Sequence, residues 1–168
     1  MEASRAERQG DYLDLRKLSP GEYMGMGAAL VLFLSLFLPW FTTSASNPNS
    51  TLDGGRIAGG DSATAWQTFS SLDVLLVLAC TAPFVLSWIL ARGHGLTWKP
   101  GEVTMVVGMT AFVLIICNGI VLGRPGDSVD IGLGIGYFVG LLAAAGLLAA
   151  GYLRQAYYSD VRKPPGVI

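Results

Sequence analysis

The chain has 168 residues, of which 52% are hydrophobic and only 14% are charged. A soluble domain carries about 25% charged residues, so this composition excludes an ordinary soluble globular domain. The net charge is −1 and the Lys and Arg residues form no dense patch, which argues against a nucleic-acid partner.

The first predicted membrane span follows a polar N-terminal segment, residues 1–22. This segment ends in Ser19-Pro20-Gly21-Glu22, which is typical of a helix start with a capping Ser, a Pro at the first helical position and a Glu that completes a capping box. The apolar run after it predicts a span over about 23–41. Trp40, near the end of that run, is typical of the aromatic belt at a membrane–water interface.

The second predicted span follows a loop that is rich in Ser, Thr, Asn and Gly. We expect this loop, residues 42–69, to be irregular or to contain one short hairpin. Trp66 near its end is a second predicted interface residue. The apolar run at about 70–91 is long enough for a helix that crosses a bilayer.

Two further apolar runs predict spans over about 103–122 and 131–153, followed by a polar tail, residues 155–168. Tyr152 lies at the predicted inner interface. The last span carries small residues at four-residue spacing, which lets another helix backbone approach closely. That stripe consists of Gly132, Gly136, Gly140 and Ala144. It predicts either internal packing against the other spans or an interface with a second copy or another subunit.

The distribution of Lys and Arg predicts the topology. Nine of the 11 lie before the first span, between the second and third, or after the fourth. The positive-inside rule then places both termini in the cytoplasm. We therefore predict an all-α membrane protein, an antiparallel four-transmembrane-helix bundle over residues 23–154, located in the cell (inner) membrane.

Three polar residues lie within the predicted spans near the outer surface: Asp73, Asn118 and Ser35. An ionisable side chain inside a membrane is costly, so Asp73 is a functional candidate. One interpretation is a clasp in which Asp73 accepts hydrogen bonds from Ser70, Asn118 or an arginine, since Arg56 and Arg124 lie just above this layer. The others are an ion, proton or lipid-headgroup site that opens outward, or a catalytic site. The last of these lacks a nucleophile or metal set with a base.

The chain resembles small uncharacterised four-span bacterial inner-membrane proteins. The resemblance depends on Ser35-Leu36-Phe37-Leu38-Pro39-Trp40 at the end of the first span and on the glycine-rich fourth span. It implies the four-span fold and no particular activity.

From the residues themselves we expect a non-enzymatic scaffold or accessory subunit that acts through helix packing. The alternative is an oligomeric transporter or channel component that uses the layer around Asp73. We expect no catalytic residues, metal or other cofactor. The expected partners are the lipid bilayer and either a second copy or another membrane protein.

Overall fold

A computed structural model describes residues 13–43, 53–54, 57–58, 62–69, 71–93, 101–121 and 131–159. Within these ranges the helices are α1 (Pro20–Ser35), α2 (Ala65–Thr68), α3 (Leu72–Ala91), α4 (Glu102–Ile116) and α5 (Ile135–Ser159). The strands are β1 (Pro39–Thr43), β2 (Asp53–Gly54), β3 (Ile57–Ala58), β4 (Ser62–Thr64) and β5 (Ile131–Leu133). A 3₁₀ turn, Leu15–Lys17, precedes α1.

Three helices in the described part of the chain are long and apolar enough to cross a membrane: Leu72–Ala91, Glu102–Val121 and Ile135–Tyr157. The second of them joins α4 to a π-helical turn, Cys117–Val121. These helices support the predicted membrane character of the chain.

The prediction of a helical first span as far as residue 41 is wrong. α1 has only 16 residues, or about 24 Å of helix at 1.5 Å per residue. Pro39 explains the early end, because proline has no N–H to donate and disfavours helical geometry in the residue before it. The capping box that starts the helix at Ser19 is present as predicted.

A small antiparallel sheet corrects the all-α prediction. Its strand order is β4-β1-β5, so β1 lies in the centre and is paired on both edges. Phe41 is the partner of Ala63 on one side and of Leu133 on the other. The predicted irregular loop 42–69 therefore supplies a strand to this sheet. The predicted fourth span also begins later, at Ile135, because Ile131–Leu133 is β5.

α5 is the central helix, since it packs extensively against both α1 and α4, whereas α3 packs mainly against α1. α1 and α5 run antiparallel. Gly21 at the start of α1 faces Arg154 near the end of α5, and Gly140 near the start of α5 faces Ser35 at the end of α1. The sheet lies at the end of the molecule where α1 finishes and α5 begins.

The backbones of α4 and α5 approach each other very closely. A Cβ on Gly108 would overlap the backbone of Leu148, and one on Gly151 would overlap the backbone of Met105. Glycine at both positions is therefore required by the packing of these two helices, as in membrane helix pairs with small residues at the contact.

Candidate functional site

Two of the three residues in the predicted outer polar layer, Ser35 and Asn118, form hydrogen bonds within their own helices. Ser35 is fully buried, and its hydroxyl donates to the carbonyl of Leu32 at 2.7 Å. The Asn118 side-chain amide donates to the carbonyl of Leu114 at 2.9 Å. Both hydrogen bonds run back along a single helix, so neither provides the interhelical clasp that the sequence suggested.

Asp73 is fully buried and lies in the first turn of α3. The N-terminal end of a helix carries a partial positive charge, which stabilises a carboxylate at this position. The position of Asp73 in the helix thus gives a structural reason for a buried acid. The predicted partner Ser70 and the arginines Arg56 and Arg124 lie outside the described residues.

Trp40, which the sequence assigns to the outer aromatic belt, is fully buried in the structure. Its indole N–H donates to the carbonyl of Ser35 at 2.7 Å and so satisfies one of the last carbonyls of α1. The ring makes edge contacts with Phe69 and Tyr137, at centroid distances of 5.9 and 5.8 Å. Trp40 thus joins the end of α1 to the sheet and to α5.

The other two predicted interface residues differ in exposure. Trp66 in α2 is half-buried, with its ring 5.9 Å from that of Phe37. Tyr152 is 63% exposed on the surface of α5.

The small-residue stripe packs inside the molecule. A Cβ on Gly136 would lie 2.6 Å from the Trp40 ring, and one on Gly140 would lie 2.9 Å from the same ring. Gly132 faces the Thr42 hydroxyl, and Ala144 is fully buried. Of the two interpretations of the stripe, this arrangement favours internal packing.

The π-helical turn at the end of α4 is a feature that the sequence pattern did not reveal. Tyr137 packs directly on Gly119 of that turn, where any Cβ would overlap the aromatic ring. The Tyr137 hydroxyl donates to the carbonyl of Ile115 at 3.1 Å. A π-turn disrupts the regular helix ladder, and the tyrosine satisfies a carbonyl at that point.

The most unusual arrangement is a buried ion pair at the end opposite the sheet. The Arg154 Nε lies 2.5 Å from the Glu22 Oε1, and the two side chains are only 5% and 3% exposed. The other oxygen of Glu22 accepts the backbone N–H of Ser19 at 2.6 Å and also its hydroxyl. One carboxylate thus caps α1 and ties it to α5.

A small cavity of about 10 Å³ adjoins this pair. Its lining includes Glu22, Arg154, Ser87, Thr104 and Pro83. The Ser87 hydroxyl is buried and has no hydrogen-bond partner among the described residues. The cavity is about the size that one water molecule needs, and it offers the polar partners that a buried water requires. Four helices therefore contribute to one polar centre.

Sequence reasoning missed this centre because Glu22 lies at a helix start and Arg154 near a span end. Charges at such positions are ordinarily solvated. Glu22 and Arg154 are removed from solvent because α1 and α5 approach each other closely. Gly21 permits this approach, since it has no side chain that would overlap Arg154.

Comparison with known proteins gives no match to a family model, to a curated protein or to a solved structure.

Proposed function

We propose that the protein is an integral membrane protein with four spans, which acts without catalysis as a scaffold or accessory subunit through helix packing. The observation that carries the proposal is the reversal of the usual burial pattern. Large apolar side chains such as Leu142 and Leu78 are 73% and 59% exposed, whereas Glu22, Asp73 and Arg154 are buried. Soluble proteins bury apolar residues and expose charged ones, so this surface suits lipid.

The first crossing combines α1 with β1. A hydrocarbon core is ~30 Å thick, which exceeds the length of α1, so part of β1 lies at membrane depth in this proposal. Non-helical backbone is tolerated there only where its hydrogen bonds are satisfied within the protein. β1 meets that condition, because strands pair with both of its edges.

The basic residues support the orientation with both termini in the cytoplasm. In the described ranges Arg16, Lys17 and Arg92 lie at the ends of α1 and α3 that are remote from the sheet. The positive-inside rule assigns that end to the cytoplasm and the sheet to the outside.

The packing of the interior supports a scaffold rather than a pore through one copy. Leu32, Leu76, Ile115 and Leu147 are fully buried at the centre of the helices. The outward faces of the helices remain apolar and available to lipid or to the helices of another membrane protein, and this leaves helix packing as their means of interaction.

Two experiments test the proposal. Cysteines introduced at Ser62 and at Arg16, in a protein with Cys80 and Cys117 replaced by Ala, are labelled in intact cells and in inverted vesicles. We expect labelling of Ser62→Cys from outside and of Arg16→Cys from inside, and the reverse pattern refutes the orientation.

Purification in mild detergent with size analysis then separates the roles. A complex with a second, different membrane protein supports the accessory role. A homo-oligomer supports the alternative, an oligomeric transporter or channel component, which the buried carboxylate of Asp73 favours.

A further inference from the structure

An apolar groove of about 360 Å³ runs between α1 and α3. Its walls include Leu30 and Phe33 from α1 and Phe84 and Val85 from α3. The hydroxyl of Thr81, which also lines the groove, donates to the carbonyl of Leu78 at 2.8 Å. The volume lies in the range of about 300–1,000 Å³ that is typical of small-molecule sites.

Exposed aromatic and basic side chains continue this groove toward the cytoplasmic end of α3. Residues four apart lie on one face of a helix, so Phe84, Trp88 and Arg92 form a line from the groove to the helix end. The Arg92 guanidinium lies 4.2 Å from the centroid of the Trp88 ring. Trp88 is 48% exposed, as expected for an interface residue beside lipid headgroups.

Lys17 adds a second cation at the same place. A Cβ on Gly93 would lie 3.1 Å from the Lys17 ammonium, which places this charge beside the residue that follows Arg92. The turn that carries Lys17 is fixed to the end of α3, because the backbone N–H of Asp14 donates to the carbonyl of Ala91 at 3.0 Å. The Asp14 carboxylate caps the same turn by accepting the N–H of Arg16.

We propose that this groove and its basic mouth bind an anionic phospholipid. Arg92 and Lys17 contact the phosphate, and an acyl chain lies along the groove between Phe33 and Phe84. Arg pairs with phosphate through two parallel hydrogen bonds, and each cation near a membrane surface attracts anionic lipid. The inference depends on the proposed membrane placement and is independent of the scaffold role.

The test is lipid binding to the purified protein in mild detergent, measured by native mass spectrometry. Phosphatidylglycerol is compared with phosphatidylcholine of the same acyl chains. We expect tighter binding of phosphatidylglycerol, and a loss of roughly 30-fold in Arg92→Gln/Lys17→Gln, about fivefold for each cation. Binding of phosphatidylcholine should not change in this variant. Arg16→Gln is the matched control, because successive residues of a 3₁₀ turn point about 120° apart.

A second pair of variants tests the acyl-chain site. Thr81→Trp fills the groove and should weaken phosphatidylglycerol binding. Thr110→Trp makes the same change in the groove between α3 and α4, which has a volume of about 440 Å³, and should leave that binding intact. If Thr81→Trp is not monodisperse, Thr81→Met replaces it, with Thr110→Met as its control.

Equal affinity for the two lipids overturns the inference, as does full phosphatidylglycerol binding by the double variant. It is also overturned if Arg16→Gln weakens binding as much as Arg92→Gln, or if the two tryptophan variants behave alike. Competition by inorganic phosphate as strong as that by the lipid would indicate a phosphate site instead. Resistance to carbonate extraction is measured in parallel, since its failure would refute the membrane placement rather than this lipid site.

Discussion

The buried ion pair between Glu22 and Arg154 is expected to control the stability of the helix packing. Glu22→Gln removes the charge and retains an oxygen that can accept the Ser19 N–H, since Gln also completes a capping box. Arg154→Met removes the opposite charge and keeps a long apolar stem. The two changes, alone and together, separate the ion pair from the cap.

The expected magnitude follows from burial. An exposed ion pair contributes about 0–1 kcal/mol, but removing one partner of a buried pair leaves an uncompensated charge and costs about 3–5 kcal/mol. Exposed side-chain fractions of 3% for Glu22 and 5% for Arg154 place this pair in the second class. At about 2–4 °C per kcal/mol for a chain of this size, each single substitution should lower the apparent melting temperature by roughly 10 °C. The double variant should lose less than the sum, because no unpaired charge remains.

The assay is thermal unfolding in mild detergent, followed as the fraction of monodisperse protein that survives heating. Glu102→Gln is the matched control, because Glu102 follows the same Pro-Gly dipeptide at the start of α4 but is only half-buried. A silent Glu22→Gln, or single effects that add in the double variant, would show that the pair contributes no coupling and would refute the argument.

Three further predictions concern the other parts of the fold. Gly136→Ala should destabilise the protein by about 1–3 kcal/mol, because its Cβ would lie 2.6 Å from the Trp40 ring. Gly27→Ala is the control and should be neutral or slightly stabilising, since nothing lies within 4 Å of that position and Ala favours a helix over Gly. Equal melting temperatures of the two variants would contradict the packing of the stripe. Trp40→Phe removes the indole hydrogen bond to the Ser35 carbonyl, which still accepts the N–H of Leu38. The loss should be about 0.5–1.5 kcal/mol, with the exposed Trp88→Phe as the control. Asp73→Asn should leave the melting temperature nearly unchanged, because the amide oxygen keeps most of the hydrogen bonds that a carboxylate accepts. Loss of ion flux in proteoliposomes by a stable Asp73→Asn variant would instead favour the transport alternative.

The helices could be predicted from the sequence where apolar length alone determines them. Leu72–Ala91 and Glu102–Val121 end close to the predicted bounds because their composition is continuously apolar and proline or glycine marks one end. The capping box at Ser19 was equally predictable, since it depends on residues three positions apart.

The sheet could not be predicted, because its strands come from distant parts of the chain. Residues 39–43, 62–64 and 131–133 show no alternating pattern of their own, and a run such as Pro39–Thr43 is apolar enough to extend a helix. Pairing with β4 and β5, together with the proline at its start, makes this run a strand. The local hydrophobic pattern gives no information about either partner strand, so for residues 39–43 it favoured a longer helix.

The polar contacts inside the helix bundle could not be predicted from the sequence either. Ser35, Asp73 and Asn118 attract attention in the sequence because they interrupt apolar runs, yet Ser35 and Asn118 bond within their own helices. Glu22 and Arg154 attract none, because charged residues are expected at span ends. What distinguishes them is that glycine at position 21 lets α5 lie directly on the start of α1. Burial at a helix end is set by the neighbouring helix, and for that reason the ion pair between Glu22 and Arg154 becomes evident only when the helices are assembled.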